Sequence, residues 1–398
     1  MGSVNDISCI GPDCTGCSAC TAACPVNAIH MERDSEGFLY PQIVENICIA
    51  CGRCLKVCPV AHPLEMCPIA TMYAAFARDE QLRDESSSGG VFAACASHVV
   101  ASGGVAVGAS IDAYGHVAHC IIDSIDDLPR LQKSKYVQSD TEGIFRVVKS
   151  KLDQGVRVLF SGCPCQVAGL LACVGENQDN LVTMDLICHG VPSPGAWEDH
   201  VRSITGGVPA SSISFRRKDA AARTTYSVDI DAPGVRHRGR DEFDDPYMAL
   251  FVTGSANRES CYSCAFAQRE RVGDITIGDC ASSNCYPEFY PWIQLSSVSP
   301  NTSKGALFWD EVSSLFEAIP IDADREIRLN AQLSHPSSRP KIRSGIYERI
   351  AREGLGTAAA SVTPPRTLKN KLKRIVKILM PNPVRGRLIR LRAMLHGK

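Results

Sequence analysis

The distribution of cysteine constrains this sequence more than any other feature. Cysteine occupies 20 of the 398 positions, and eight of these residues form two copies of one short pattern. The pattern is Cys-x2-Cys-x2-Cys-x3-Cys-Pro; its copies begin at Cys14 and Cys48 and end at Pro25 and Pro59. The residues after Met1 are polar rather than an apolar secretory segment, which predicts a reducing compartment. There, regularly spaced cysteines are expected to bind metal rather than to form disulfides.

The spacing inside each copy predicts a cubane iron–sulfur cluster. Three cysteines at two-residue intervals wrap around three corners of one cluster, and the fourth, which precedes proline, binds the other cluster. Zinc also binds Cys-x2-Cys pairs, but zinc sites seldom contain three such cysteines followed by Cys-Pro, twice. Small residues at Gly16, Ala19, Ala50 and Gly52 leave room for backbone N–H groups beside the sulfurs. We therefore predict a small α+β domain of the two-cluster ferredoxin type over residues 1–66. Its predicted ligands are Cys14, Cys17, Cys20 and Cys58 for cluster 1, and Cys48, Cys51, Cys54 and Cys24 for cluster 2.

The residues after a linker around Cys67-Pro68 alternate between predicted helices and strands. A helix is predicted over 91–101, and the apolar, β-branched runs 156–160 and 181–187 are typical of buried strands in a mixed or parallel sheet. This βαβ alternation predicts a larger α/β domain over residues 67–355. With 44% hydrophobic and 21% charged residues, the composition is that of a soluble globular protein.

Cysteines also follow the two predicted buried strands of the body. Cys163 and Cys165 follow the first strand, and Cys188 follows the second. Because cofactors in open α/β sheets bind at the carboxyl ends of strands, these cysteines are expected to converge. The later pair Cys261-x2-Cys264 is followed by the short predicted strand 275–277 and then by Cys280. A pair plus two single cysteines from this set would make a four-thiolate site that suits a third [4Fe–4S] cluster or zinc, and spacing alone does not separate the two. The other cysteines interpreted as core or free thiols are Cys9, Cys67, Cys95, Cys120 and Cys173.

Two further motifs have both a functional and a structural interpretation. His189 could donate a proton near neutral pH, or it could be a loop imidazole hydrogen-bonded to backbone. The segment 86–90, Ser-Ser-Ser-Gly-Gly, precedes a predicted helix. Its N–H groups would suit a phosphate, and they would equally form an ordinary helix cap.

Six segments of the body occur together, in the same order, in a known family. They are Ser-Ser-Gly-Gly at 87–90, Lys-Ser-Lys-Tyr-Val-Gln-Ser at 133–139, Cys-Pro-Cys-Gln-Val-Ala-Gly at 163–169, Asp-Leu-Ile-Cys-His-Gly-Val-Pro-Ser at 185–193, Phe-Arg-Arg-Lys-Asp at 215–219 and Cys-Tyr-Ser-Cys-Ala-Phe at 261–266. In these segments the chain resembles the beta subunit of coenzyme F420-reducing hydrogenase and its F420 dehydrogenase relatives. The resemblance implies a flavoprotein that binds FAD next to a [4Fe–4S] cluster, exchanges a hydride with a deazaflavin or similar carrier, and passes single electrons to clusters.

The resemblance also implies roles for individual residues. The third cluster would be bound by Cys165, Cys188, Cys261 and Cys264, which favours iron over zinc at this site. The FAD phosphates would face Ser88, Gly89 and Gly90. The flavin would be lined by Lys135, Tyr136 and Gln138. His189 is the candidate catalytic residue.

The sequence departs from the family at two places. The family usually has Thr where Cys163 stands, so an extra thiol could compete as a ligand. After Asp279 the family commonly has an aromatic pair with Gly, often Phe-Trp-Gly, whereas here Cys280-Ala281-Ser282 follows and Cys285 is close by. Without that aromatic wall, a different molecule could lie over the flavin.

Basic residues concentrate near the end of the chain. Eleven Lys and Arg residues lie between Arg366 and Lys398, and no acidic residue follows Glu353. We predict a basic amphipathic tail over residues 356–398 that could contact an anionic membrane surface, with a solvated or packed helix as the alternative. Nucleic acid is not an expected partner, because no recognition fold accompanies these charges. The expected location is the cytoplasm, with peripheral contact at the inner membrane face.

The sequence as a whole predicts an iron–sulfur flavoprotein oxidoreductase. A flavin accepts a hydride and releases electrons singly. The predicted path therefore runs from a hydride carrier such as F420 or NAD(P)H through FAD and three clusters to a redox partner protein, or in reverse from reduced ferredoxin. The alternative is a non-enzymatic electron-transfer subunit of a larger redox complex.

Overall fold

The computed structural model describes residues 6–176, 178–218, 224–239, 241–286, 289 and 293–364. Most of the predicted basic tail, from residue 365 onward, therefore lies outside the described residues. Within the described ranges, no helix has both the length and the apolar character needed to cross a bilayer.

The first 66 residues form a small unit wound around the two cysteine loops. Its elements are a 3-10 helix (Ile7–Asp13), α1 (Ala19–Ala23), β1 (Ile29–Arg33), β2 (Leu39–Ile43) and α2 (Arg53–Lys56). The strands β1 and β2 pair antiparallel, and each helix is a single turn that starts just before the third cysteine of its loop. Predicted ligands contribute much of the buried core, in which Cys20, Cys54 and Cys58 pack with Ile7 and Ile29.

A mixed eight-stranded sheet forms the centre of the body. The body strands are β3 (Cys67–Pro68), β4 (Met72–Ala77), β5 (Val105–Ile111), β6 (Val117–Ile122), β7 (Val158–Gly162), β8 (Leu181–Leu186), β9 (Ser212–Lys218), β10 (Thr224–Ala232), β11 (Val235–Arg238), β12 (Glu270–Arg271), β13 (Ile275–Asp279), β14 (Ser296–Pro300) and β15 (Phe316–Ile321). The sheet order is β15-β4-β14-β13-β8-β7-β5-β6. The contacts among β13, β8, β7 and β5 are parallel, and the outer contacts are antiparallel.

Helices cover both faces of this sheet. They are α3 (Glu80–Asp84), α4 (Val91–Ala101), α5 (Leu128–Leu131), α6 (Ile144–Asp153), α7 (Pro164–Val174), α8 (Pro194–Thr205), α9 (Pro246–Val252), α10 (Ser303–Val312), α11 (Ala323–Leu329), α12 (Ile346–Glu353) and α13 (Leu355–Ala360). One buried core packs α4, α5 and α10 on the sheet, and the other packs α6 and α7. Successive residues of β7 alternate between them, since Leu159 belongs to the first core and Phe160 to the second.

Several predicted elements are present with bounds equal or close to those that the sequence indicates, although β7 begins and ends two residues later than predicted. The helix α4 spans 91–101 as predicted, and β7 and β8 are the predicted buried, parallel strands. Cys67–Pro68, which is predicted as a linker, instead forms β3 and pairs with β12. The small antiparallel sheet of β11, β10 and β9 is not among the predicted elements.

One buried arginine holds the N-terminal unit against the body. The side chain of Arg258 is fully buried, and its Nε and Nη1 donate to the carbonyl oxygens of Cys14 and Leu39 at 2.6 and 2.9 Å. Its guanidinium lies 3.9 Å from the ring centroid of Tyr40. The first cysteine loop is therefore fixed by a residue almost 250 positions further along the chain.

Candidate metal centres

The four predicted ligands of cluster 1 lie together at the side of the N-terminal unit that faces the body. Burial raises the pKa of Cys17 to about 12, and the nearby thiols of Cys14 and Cys58 add to the shift. Burial likewise raises the pKa of Cys20, with further contributions from the other three thiols. Such mutual influence requires short separations, so the fold brings the set together. Bound iron would reverse the shifts, because a metal cation favours the thiolate.

The two cysteine loops share one backbone conformation. In the first loop Gly16 and Ser18 have φ of 70° and 59°, and in the second loop Ala50 and Gly52 have φ of 50° and 69°. The N–H of Gly16 lies 3.4 Å from the sulfur of Cys14, and the N–H of Ala50 lies 3.4 Å from the sulfur of Cys48. These N–H groups approach sulfur as the small residues predict, and such bonds stabilise a thiolate.

The ligands predicted for cluster 2 lie closer to the surface. Cys54 is buried, whereas Cys48 and Cys51 are exposed. The loop that carries them also exposes Ile47 and Ile49, the latter with 60% of its surface accessible. The second site is thus partly exposed to solvent, whereas the first is covered by the body.

Five of the cysteines that the sequence places near the body site line one cavity. Cys163 directly follows β7, Cys165 lies in the first turn of α7, and Cys188 follows β8. Cys261 and Cys264 come from a 3-10 helix, Glu259–Ser263, and the residue after it. The convergence arises because β7 and β8 are parallel neighbours whose carboxyl ends meet at one edge of the sheet.

The local sequence fixes the start of α7 and hence two of these thiols. Pro164 occupies the first helical position, where its missing N–H costs nothing. The side chain of Gln166 accepts a hydrogen bond from the N–H of Cys163 at 2.9 Å. This capping arrangement holds Cys163 and Cys165 at the mouth of the cavity.

The thiols of the cavity are close enough to perturb one another. Burial raises the pKa of Cys261 to about 12, with further contributions from Cys188 and Cys264. Burial also raises the pKa of Cys165, and Cys264 and Cys188 add to it. Several thiols that line one cavity form a donor set that fits a cubane. In the described ranges, no three His, Cys, Asp or Glu side chains group as ligands of one metal ion; in a cubane, each corner iron takes its own thiolate.

Cys280 and Cys285 are not part of this cavity. The sulfur of Cys280 lies 3.5 Å from the hydroxyl of Ser282 and 3.9 Å from the carboxylate of Glu326, and burial raises its pKa to about 12. Of the three cysteines at which the sequence departs from the family, Cys163, Cys280 and Cys285, the structure therefore brings Cys163 alone to the body site.

The body cavity and cluster 1 are direct neighbours. Thr15, between the first two cysteines of the first loop, lines the cavity. The hydroxyl of Ser260 donates to the carbonyl of Cys14 at 3.1 Å, next to Cys261 in the chain. On α7, a Cβ added to Gly169 would lie 2.9 Å from the sulfur of Cys17. The two ligand sets thus face each other across two contacting loops.

A charged cluster that the sequence did not predict lies at the same edge of the sheet. Asp279 ends β13, and its carboxylate accepts hydrogen bonds from Arg216 at 3.0 Å and from the Tyr226 hydroxyl at 2.9 Å. Burial raises the pKa of Asp279, but Arg216 more than offsets this, and the net shift is downward. The Nε of Arg216 is buried and has no hydrogen-bond partner in the described part of the chain. Lys218 donates to the Ser88 carbonyl at 2.6 Å.

Two family models match the chain. The first, "4Fe-4S dicluster domain", matches residues 13–62. The second describes the C terminus of the beta subunit of coenzyme F420 hydrogenase/dehydrogenase and matches residues 155–323, which include the five cavity cysteines and Asp279. Over residues 155–323 the chain is therefore similar to this beta-subunit family, in agreement with the resemblance of its sequence motifs. The ferredoxin-type prediction is confirmed, and the N-terminal unit binds two [4Fe–4S] clusters.

Two individual proteins are also similar to parts of this chain. A subunit of the F(420)H(2) dehydrogenase of Methanosarcina mazei is 24% identical over 188 residues, which are 44% of this chain and 53% of that protein. The chain thus matches about half the length of this curated relative. A chain in the xenon-derivatised structure of the F420-reducing [NiFe] hydrogenase complex from Methanosarcina barkeri has 15% identity and a TM-score of 0.46, and the alignment covers 72% of this chain and 94% of that one.

Residues that the resemblance assigns to FAD lie in three different settings. The Gly89 N–H donates to the Ser296 hydroxyl at 3.0 Å, and Gly90 precedes α4 with φ of 82°. Lys135 donates to the carbonyls of Arg130 and Gln132 at the end of α5, and burial lowers the pKa of Lys135 to about 7. The Gln138 amide donates to the Thr15 carbonyl at 3.1 Å, so this residue joins the first cysteine loop to the body.

The remaining candidates lie beside the charged cluster. Tyr136 stacks on Phe251 with ring centroids 4.5 Å apart, and it is one of the groups that favour the charged form of Arg216. The Ser88 hydroxyl donates to the Leu295 carbonyl at 2.9 Å. Burial lowers the pKa of His189, which favours a neutral imidazole, and Asp279 acts in the opposite direction.

Proposed function

We propose that this chain is an iron–sulfur flavoprotein oxidoreductase that exchanges electrons between a hydride carrier and a one-electron partner. The observation that carries the proposal is the single cavity lined by Cys165, Cys188, Cys261 and Cys264 and touched by the first ferredoxin loop. These four thiols would hold a third [4Fe–4S] cluster. The hydride carrier would be F420, as in the names of the relatives, or NAD(P)H.

The three ligand sets are arranged in an order that suits a relay. The body cavity is next to cluster 1, and the cluster 2 loop carries two exposed cysteines. Clusters 1 and 2 share ligands from both cysteine runs, which keeps them adjacent. A soluble redox partner protein, such as a ferredoxin, would dock at the exposed second loop.

The charged cluster around Asp279 is the part of the structure that suits FAD. The unpartnered Nε of Arg216 would donate a hydrogen bond to a phosphate oxygen, with Ser88 close by at Asp279. Bound there, FAD would supply the conversion between two-electron hydride transfer and one-electron transfer. His189, neutral because it is buried, would hold or accept a proton.

One observation favours the alternative of a non-enzymatic electron-transfer subunit. The side chains of Lys135 and Gln138, which the resemblance assigns to the flavin, are both engaged by the protein's own backbone. In this alternative the chain relays electrons for a catalytic partner chain and binds no flavin.

Anaerobic purification with iron, sulfide and flavin quantified separates the two functions. The flavoprotein is expected to contain about 12 irons and one FAD per chain. Replacing Arg216 with Lys should lower the FAD content without loss of iron. The matched control is Arg217→Lys, since this neighbour pairs with Asp229 on the other face of β9. An iron-replete preparation free of flavin would contradict the enzyme and leave the relay subunit.

A further inference from the structure

The body cavity contains one more cysteine than a cubane has iron corners. The fifth thiol is Cys163, and its sulfur lies 3.7 Å from the sulfur of Cys188. The two meet because each follows the carboxyl end of a strand, β7 and β8, and these strands are adjacent and parallel. The hydrogen bond between the Cys163 N–H and Gln166 anchors one partner of the pair.

The separation of these two sulfurs indicates how they would meet a cluster. Two thiolates bound at about 2.3 Å to one tetrahedral metal atom lie about 3.8 Å apart. Thiolates at different corners of a cubane bind different irons and point away from one another. The observed distance therefore places both sulfurs at a single iron corner, which takes one of them at a time because a cubane iron has three sulfide ligands and one open position.

We propose that Cys163 and Cys188 serve the same corner of the body cluster, and that either thiol alone suffices to hold it. This inference rests on the third cluster of the proposed function. The other three corners would each have a single ligand, Cys165, Cys261 or Cys264. The corner with two thiols would then tolerate the loss of one cysteine, and the other corners would not.

Iron counting on the anaerobically purified full chain tests this pairing. The unsubstituted chain is expected to hold about 12 irons, from three cubanes. Cys163→Ala and Cys188→Ala are each expected to keep about 12 irons, and the double substitution to keep about eight. Cys261→Ala is the matched control and should fall to about eight irons by itself.

Electron paramagnetic resonance of the reduced chain identifies which clusters remain. The signals of the two ferredoxin-type clusters should persist in every variant, which shows that the chain has folded. Loss of the third signal in Cys188→Ala alone would overturn the pairing and make Cys188 the sole ligand. Retention of that signal in the double variant would also overturn it. An unsubstituted chain with only eight irons would instead refute the third cluster itself.

Discussion

Buried polar side chains hold together loops that hydrophobic patterning leaves unspecified. Arg258 joins the first cysteine loop to the body. His119 in the same way joins the segments that contain Ser139 and Ser161. The Nδ1 of His119 accepts from the hydroxyl of Ser139 at 2.9 Å, and its Nε2 donates to the carbonyl of Ser161 at 3.0 Å. The imidazole also stacks on Phe160. Because Nδ1 can accept a hydrogen bond only while the ring is neutral, these contacts tie stability to pH.

The His119 contacts predict a loss of stability in mild acid. Burial lowers the pKa of His119 to about 4, so below pH 6.5 the unfolded chain binds the proton more readily. The contribution of the neutral ring is complete above pH 6.5 and is lost as the pH falls towards 4. Gln does not titrate in this range. In the His119→Gln chain, the free energy of unfolding should therefore fall by about 3 kcal/mol less between pH 6.5 and pH 4 than in the unsubstituted chain.

Denaturant unfolding of both chains between pH 8 and pH 4 measures the effect as a difference. The control is His30→Gln, because the His30 side chain is about half exposed in a small-domain strand. Parallel pH profiles for the His119→Gln and unsubstituted chains would show that the ring does not couple folding to protonation.

The helix α7 connects the two parts of the candidate electron path. Its first turn carries Cys165 at the body cavity, and one turn later Gly169 allows the N-terminal unit to approach. The sequence predicts that the cysteines at the start of α7 belong to the body site, because apolar runs and short spacings are local patterns. It does not predict that Gly169 faces Cys17, since that contact joins residues more than 150 positions apart.

Gly169→Ala should weaken the binding of cluster 1. At an open helical position this change would favour the helix by about 1 kcal/mol. At Gly169 the new Cβ would lie 2.9 Å from the sulfur of Cys17, so a ligand or the helix must shift. We expect iron loss to a chelator to accelerate several-fold, as followed by the decline of the cluster absorbance.

Gly356→Ala is the matched control for Gly169→Ala. Gly356 lies in α13, and a Cβ there would meet no atom within 4 Å. This variant should lose iron at the rate of the unsubstituted chain. Equal rates in the two alanine variants would mean that α7 does not support cluster 1 through Gly169.

At the scale of the whole molecule, the sequence predicts the ligands better than their surroundings. The cysteine runs, α4 and the parallel pair of β7 and β8 follow from local spacing and periodicity. The charged pair of Arg216 and Asp279 depends on strands of two different sheets, and no local pattern signals it. For the same reason, the backbone contacts of Lys135 and Gln138 are visible only in the fold.

The N-terminal unit and the body also differ in what holds them together. The core of the small unit contains Cys20, Cys54 and Cys58, so bound clusters would be part of that core. The body buries two large apolar layers of its own on either side of the main sheet. Iron removal should therefore affect the two parts unequally, because metal binding supplies folding free energy where a core is small.

Chelation followed by limited trypsin digestion tests this difference on the full chain. After anaerobic iron removal we expect early cleavage at Arg53 and Lys56, in the second cysteine loop and helix, while fragments spanning the main sheet persist. The iron-loaded chain, digested in parallel, is the control and should resist cleavage at these two residues. Mass spectrometry of the fragments gives the order of the cuts. Simultaneous digestion of both parts after chelation would show that the contacts through Arg258 make them fold as one unit.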